Sequence, residues 1–168
     1  MGKPSPFHVR IVQPDRVRDV LSALLSSRED EIPSEKALAQ LCHFRTDEAL
    51  HTCRALGLVE TRELAISDMG LALAQLIRAK PGLFSDIMHF LYHFTWDENE
   101  SELRRFSWSY GTVCDLLWKA GSTEIDRNLL ASQVVSCAQE VFATDTISFS
   151  QNSISGVLSW LRTLNPSV

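Results

Sequence analysis

Apolar side chains recur every three or four residues along most of this chain, a spacing that predicts amphipathic α-helices. In the first half we expect four helices, each beginning at a residue suited to a helix N-terminus. These starting residues are Pro14, Ser34, Thr46 and Ser67. Gly57 is expected to end the third helix in a left-handed conformation, and Pro81 to follow the end of the fourth.

The second half keeps the helical spacing but is richer in aromatic residues. Four further helices are predicted, over residues 83–95, 106–120, 126–142 and 154–164, with Ser150 or Ser153 as the cap of the last. Residues 1–13 contain an alternating segment, which predicts an arm or a short edge strand. Because no flexible linker interrupts the chain, we expect a domain over residues 1–80 and a helical domain over residues 81–168 packed on it.

Two short apolar segments, Leu58-Val59-Glu60 and Leu64-Ala65-Ile66, lie between the third and fourth helices. They flank the charged tip Thr61-Arg62-Glu63, and this arrangement predicts a small β-hairpin. Helix, tight turn, helix and hairpin follow one another in the order of a winged helix. The sequence therefore predicts a mainly α fold, with an N-terminal winged helix-turn-helix and a C-terminal bundle of about four helices.

A third helix ending in LGLVE, a charged tip and then LAISDMGLAL resemble the winged helix-turn-helix superfamily. In that superfamily a hairpin strand commonly runs into the pattern [LT]-x-x-G, here Ser67-Asp68-Met69-Gly70. The resemblance covers about residues 14–80. It implies DNA binding, and the added helical part is similar to bacterial transcription regulators and to accessory proteins of bacterial antiviral defence.

In a helix-turn-helix protein the second helix of the motif enters the major groove of double-stranded DNA. The resemblance therefore implies base or phosphate contacts from the third helix and phosphate contacts from basic residues around it. The candidates on the third helix are Arg45, Thr46, His51, Thr52 and Arg54. The candidates around it are Lys36, Arg62 at the hairpin tip, and Arg10, Arg16 and Arg18.

Charge weakens the DNA hypothesis. The net charge is −5, and residues 81–168 account for all of it, with 5 basic and 10 acidic residues, whereas residues 1–80 are neutral. A DNA-binding face is expected to be basic. Asp47 and Glu48 also lie in the first turn of the third helix, where carboxylates favour the helix dipole but repel phosphate.

The alternative hypothesis is a protein-protein interaction adaptor, or a structural subunit, that uses the winged helix without DNA. The second half is dense in aromatic residues, and five of them are of the Trp and Tyr types that are enriched in interface hot spots as well as in cores. The aromatic residues in question are Trp96, Phe106, Trp108, Tyr110, Trp118 and Trp160. Trp108 and Tyr110 are the candidates for exposed partner-binding residues. The C-terminal helices would then bind a protein partner or form a homodimer, and this role is compatible with DNA binding by the first half.

Catalysis finds no support in the residue pattern. The sequence contains neither a GxSxG motif nor a glycine-rich phosphate loop, so we expect no enzyme and no cofactor. His89 and His93 have the spacing of a metal-binding pair, but no third ligand accompanies them, and buried packing is the preferred interpretation. The four cysteines form no CxxC pair and fit apolar helix faces. With no signal peptide and no long apolar segment, a cytoplasmic protein without membrane contact is expected.

Overall fold

The computed structural model describes residues 7–27, 34–96, 104–121, 126–143 and 147–164. These residues form eight α-helices and one 3-10 turn, Pro81–Leu83. The helices are α1 Pro14–Ser26, α2 Glu35–Cys42, α3 Asp47–Ala55, α4 Asp68–Ala79, α5 Phe84–Phe94, α6 Arg105–Ala120, α7 Arg127–Phe142 and α8 Gln151–Leu161. The prediction of a mainly α fold is confirmed.

The chain divides into two compact units, and the boundary between them falls inside α5. One unit is Val12–Met88, which contains α1 to α4. The other joins Met1–Ile11 to His89–Val168. The sequence predicted a domain boundary at residue 80 and an N-terminal arm that belongs to the first domain. The two compact units differ from this prediction in the position of the boundary and in the assignment of the arm.

In the Val12–Met88 unit, α1 packs against α2, α3 and α4. Val17, Val20 and Leu21 of α1 are fully covered, as their helical spacing predicted. Ser34 caps α2 by accepting a hydrogen bond from the amide of Ala37 at 3.2 Å, and Ser67 caps α4 through the amide of Gly70 at 3.0 Å. The two serine caps therefore define where α2 and α4 begin, and the apolar face of α1 holds the other three helices against it.

The predicted winged helix is wrong, because residues 58–67 do not form a hairpin. The described residues contain no strand, and this segment makes one isolated antiparallel bridge, between Val59 and Ile66. A strand that covers a core buries alternate residues, whereas Leu58 and Val59 are adjacent and both buried. Both side chains instead anchor the loop in the helical core, and an isolated two-stranded hairpin is in any case only marginally stable.

The second unit has an aromatic core built by α6, α7, α8 and the C-terminal part of α5. Tyr92 stacks on Tyr110 with ring centroids 4.9 Å apart and lies 5.2 Å from the ring of Trp160. All three side chains are buried. Large rings supply much buried apolar area per residue, which suits a core formed by few helices.

The N-terminal arm belongs to this unit and runs across α8. Phe7 and Val9 are buried, but the predicted alternation does not continue, because Ile11 is exposed and Val12 is buried, and no strand forms among the described residues. A β-carbon at Gly156 of α8 would lie 2.8 Å from the carbonyl oxygen of Arg10 and 2.9 Å from that of Val9. Glycine at this position therefore allows the arm to approach the helix closely.

Candidate functional site

From the sequence we predicted DNA contact at α2, α3 and the turn between them. His43 adopts a left-handed conformation, with φ of 59°, and allows the chain to turn between α2 and α3. Gly57 adopts the left-handed conformation predicted for it after α3, with φ of 71°. The first turn of α3 exposes Asp47 and Glu48, and His51 is exposed one turn later.

The two arginines assigned to α3 are held by carboxylates of the same unit. Arg45 donates a hydrogen bond to Asp47 over 2.7 Å, and this bond raises the pKa of the Arg45 guanidinium above its ordinary value. Arg54 pairs with Glu35 of α2 over 2.8 Å, and its side chain is only 28% exposed. Phosphate contact by either residue would compete with an existing ion pair.

The expectation that Thr46 and Thr52 are exposed is wrong. Their relative exposures are 1% and 3%. Thr46 lies one helical turn before Leu50, and Thr52 lies one turn after Ala49, so both threonines share the apolar face of α3. Neither hydroxyl is at the surface where a DNA groove would meet this helix.

The basic residues expected around α3 are in different environments. Lys36 and Arg62 are exposed. Arg16 lies over the ring of Phe44, 5.1 Å from its centroid, and Arg18 pairs with Asp15 at 3.0 Å and with Asp19 at 3.7 Å. Residues 12–88 carry nine Lys or Arg against twelve Asp or Glu. The unit is therefore acidic in sum, and most of the candidate cations already have an anionic or aromatic neighbour.

Trp108 and Tyr110, the predicted partner-binding residues, are part of the second unit's interior. Tyr110 is fully buried, since it shares the inward stripe of α6 with Phe106 and Val113, and its expected exposure is wrong. Trp108 is half-buried and packs edge-on against Phe7, with ring centroids 6.0 Å apart, and against Phe142, at 5.1 Å. The structure uses both residues for packing.

The histidine pair on α5 also belongs to packing. The Tyr110 hydroxyl and His89 Nδ1 are hydrogen-bonded at 2.8 Å, and burial raises the pKa of Tyr110 above its ordinary range. The rings of His89 and His93 are 6.1 Å apart. In the part of the chain that the structure describes, no group of three or more His, Cys, Asp or Glu residues is placed to hold a metal ion.

The second unit contains a cleft, and two of the thiols in the chain are deeply buried. Burial raises the pKa of Cys53 and of Cys114 to about 12, so both remain protonated at neutral pH. A cleft of about 560 Å³ in the second unit is lined by Asn128, Ser132, Val135, Ser136, Phe149 and Gln151 among others. The described residues of its lining supply hydroxyls, amides and apolar groups but no titratable side chain.

The most exposed aromatic residues were not among the binding residues predicted from the sequence. Phe90 and Phe94 of α5 are 57% and 65% exposed, and their rings lie 4.5 Å apart. Trp118, near the end of α6, is 87% exposed. The four-residue spacing of Phe90 and Phe94 was a signal that they share a helix face. Because α5 is aromatic or apolar on nearly every side, the sequence did not indicate which face is uncovered.

Comparison with protein-family models, with curated proteins and with solved structures finds no match to this chain. Among the described residues, every helix is too short or too polar to cross a membrane.

Proposed function

We propose that this protein is a non-catalytic interaction subunit that binds a protein partner through the Phe90–Phe94 pair of α5. The observation that carries the proposal is the exposure of two large aromatic rings side by side on one helix face. Covering a phenylalanine side chain contributes roughly 1.5 to 3 kcal/mol, which makes such a pair a strong anchor for association. Anchors four residues apart are typical of a helix that docks into an apolar groove.

Charge specifies the kind of groove that fits. Asp97, Glu98, Glu100 and Glu102 follow Phe94 closely in the sequence. Residues 81–168 as a whole carry 10 acidic and 5 basic residues, so a partner whose apolar groove is bordered by Lys or Arg would suit both the rings and this charge. Such complementarity accelerates encounter and rejects acidic surfaces such as nucleic acid.

Truncation of the pair tests this proposal. We expect the Phe90→Ala/Phe94→Ala double variant, used as tagged bait in the native host, to lose a partner that the unaltered protein retains. With that partner purified, the dissociation constant should rise by more than about tenfold, since hot-spot truncations cost upwards of 2 kcal/mol.

The matched control is Leu129→Ala/Val141→Ala on α7, where the side chains are 55% and 56% exposed. This variant truncates two apolar side chains that are exposed to a similar fraction in the same unit, and it should leave the dissociation constant within about twofold of the original. If all three proteins retain the same partners with equal affinity, the aromatic pair is not the binding site.

DNA contact by α3 is the second candidate, favoured by the exposure of Lys36 on α2, of Arg45 just before α3 and of Arg62 after it. The acidic sum of the unit and the Arg54–Glu35 pair oppose it. We therefore expect duplex DNA binding at physiological salt to be weaker than about 10⁻⁴ M, the weak end of non-specific binding.

Fluorescence anisotropy with a salt series measures this directly. At low salt, any residual binding should be the same for the original protein and for Arg45→Ala/Arg54→Ala. Micromolar binding that falls steeply with salt and disappears in the double variant would instead place α3 on DNA. Asp47→Asn/Glu48→Gln is the informative companion variant, because removing these two acids should strengthen binding only if α3 lies against DNA.

A further inference from the structure

The fourth helix has an uncovered apolar face besides the one it buries. Gly70, Leu73, Ala74 and Ile77 are buried in the Val12–Met88 unit. The outer stripe of α4 consists of Met69, Ala72, Leu76 and Ala79, all of which are exposed. Met69 is 43% and Leu76 38% exposed. The spacing of three, four and three residues is that of a seam between paired helices.

The stripe is complementary to itself in one orientation. If two copies of α4 cross antiparallel about a twofold axis midway between residues 72 and 76, Met69 faces Ala79 of the other copy and Leu76 faces Ala72. Each large side chain then lies opposite a small one, so the two stripes interdigitate and the helices approach closely. A twofold axis requires this kind of self-matching surface.

Charge selects the same orientation. Asp68 begins α4, whereas Arg78 lies in its last turn and Lys80 directly follows it; all three are exposed. In an antiparallel pair the acid of one copy faces the two bases of the other. The two helix dipoles also run in opposite directions, which is electrostatically favourable. In a parallel pair, Asp68 would face its own counterpart, and the bases would face one another.

We infer that α4 binds α4 of a second copy of this chain, antiparallel, through the outer stripe. The inference is independent of the proposed function, because it uses neither Phe90 nor Phe94 and lies in the other unit. One pair of three-turn helices covers less than the roughly 1,200 Å² of stable interfaces. The dimer is therefore weak, and it forms at high protein concentration or when a further component brings two copies together.

Sedimentation equilibrium over a wide concentration range tests the inference. The unaltered chain should show a reversible monomer–dimer equilibrium, and Leu76→Glu should be monomeric throughout. Leu41→Glu is the matched control: Leu41 is 60% exposed on α2, outside the stripe, and its replacement should leave dimerisation unchanged. Far-UV circular dichroism verifies that each variant is folded.

Charge exchange distinguishes the geometry from non-specific association. Asp68→Lys and the double variant Arg78→Asp/Lys80→Asp should each weaken the dimer by about tenfold, since each creates like-charge contacts across the axis. The triple variant Asp68→Lys/Arg78→Asp/Lys80→Asp should recover the original affinity, because opposite charges face each other again. A chain that is monomeric at every concentration, a dimer unaffected by Leu76→Glu, or a charge exchange without recovery would each overturn the inference.

Discussion

Replacing Gly70 with alanine is expected to lower the free energy of unfolding by roughly 3 kcal/mol or more, because the new methyl group has no space. A β-carbon at Gly70 would overlap the carbonyl oxygen of Leu58 and lie 2.9 Å from Cγ1 of Ile66. The same carbonyl accepts a hydrogen bond from the amide of Ser67 over 3.1 Å. Relief of the overlap would therefore displace α4 from the loop and weaken the bond that closes that loop.

Urea unfolding followed by far-UV circular dichroism measures this effect. Circular dichroism is required because all four tryptophans lie in residues 89–168, outside the unit that contains Gly70. The control is Gly111→Ala in α6, where a β-carbon would lie 3.6 Å from Nε2 of His93, an ordinary contact. Alanine there should be neutral or stabilise by about 0.5 to 1 kcal/mol. A Gly70→Ala protein as stable as the control would contradict the close packing of α4 against Leu58.

Trp160→Ala should cost about 3 to 5 kcal/mol of stability, because it opens a large cavity in the aromatic core. Trp160 is fully buried in α8, and its ring centroid lies 5.2 Å from that of Tyr92. Loss of the indole removes the contacts of Tyr92 and leaves a space that neighbouring helices cannot fill without moving.

Trp118→Ala provides the matched control for this substitution. It also removes one indole from the same unit, but Trp118 is 87% exposed, so the stability should change by no more than about 0.5 kcal/mol. Thermal and denaturant unfolding, followed by fluorescence of the remaining tryptophans, compare the two variants. An equal loss of stability in the two variants would contradict the burial of Trp160 and the exposure of Trp118.

The helices and their ends were predictable because their causes are local. Ser34 and Ser67 cap α2 and α4, and Ser150 caps α8 by accepting from the amide of Ser153 at 3.4 Å. Cap and capped amide lie within one helical turn, so a short stretch of sequence contains all the information. The left-handed stop at Gly57 was predictable for the same reason.

The hairpin was predicted wrongly because a strand depends on what pairs with it and what it covers. Three-residue apolar segments fit a strand pattern, yet here they bury the adjacent residues Leu58 and Val59 and share one bridge. The glycine in the pattern that suggested a hairpin, Gly70, has a different role: it allows α4 to approach the backbone of Leu58. A local pattern did not distinguish these alternatives.

Whether a candidate site residue is exposed, buried or paired depended on partners far away in the sequence. Arg54 pairs with Glu35, nineteen residues away, and Tyr110 bonds to His89, twenty-one residues away. Sequence spacing identified Arg54 as a candidate cation and Tyr110 as a candidate interface residue, but it contained no information about either partner. Phe90 and Phe94 were overlooked for the converse reason, since nothing local shows that their face of α5 is left uncovered.

The sequence by itself determined the mainly α class, the approximate positions of the helices and the serine caps of α2 and α4, since propensity, periodicity and capping act over one or two turns. Thr46 makes no side-chain cap bond to α3, contrary to the prediction. Only the tertiary structure decided which aromatic residues are buried, which arginines are paired and whether residues 58–67 form strands. Burial and ion pairing depend on the packing of elements distant in the sequence, and that packing also leaves the Phe90–Phe94 pair and the outer stripe of α4 exposed for binding.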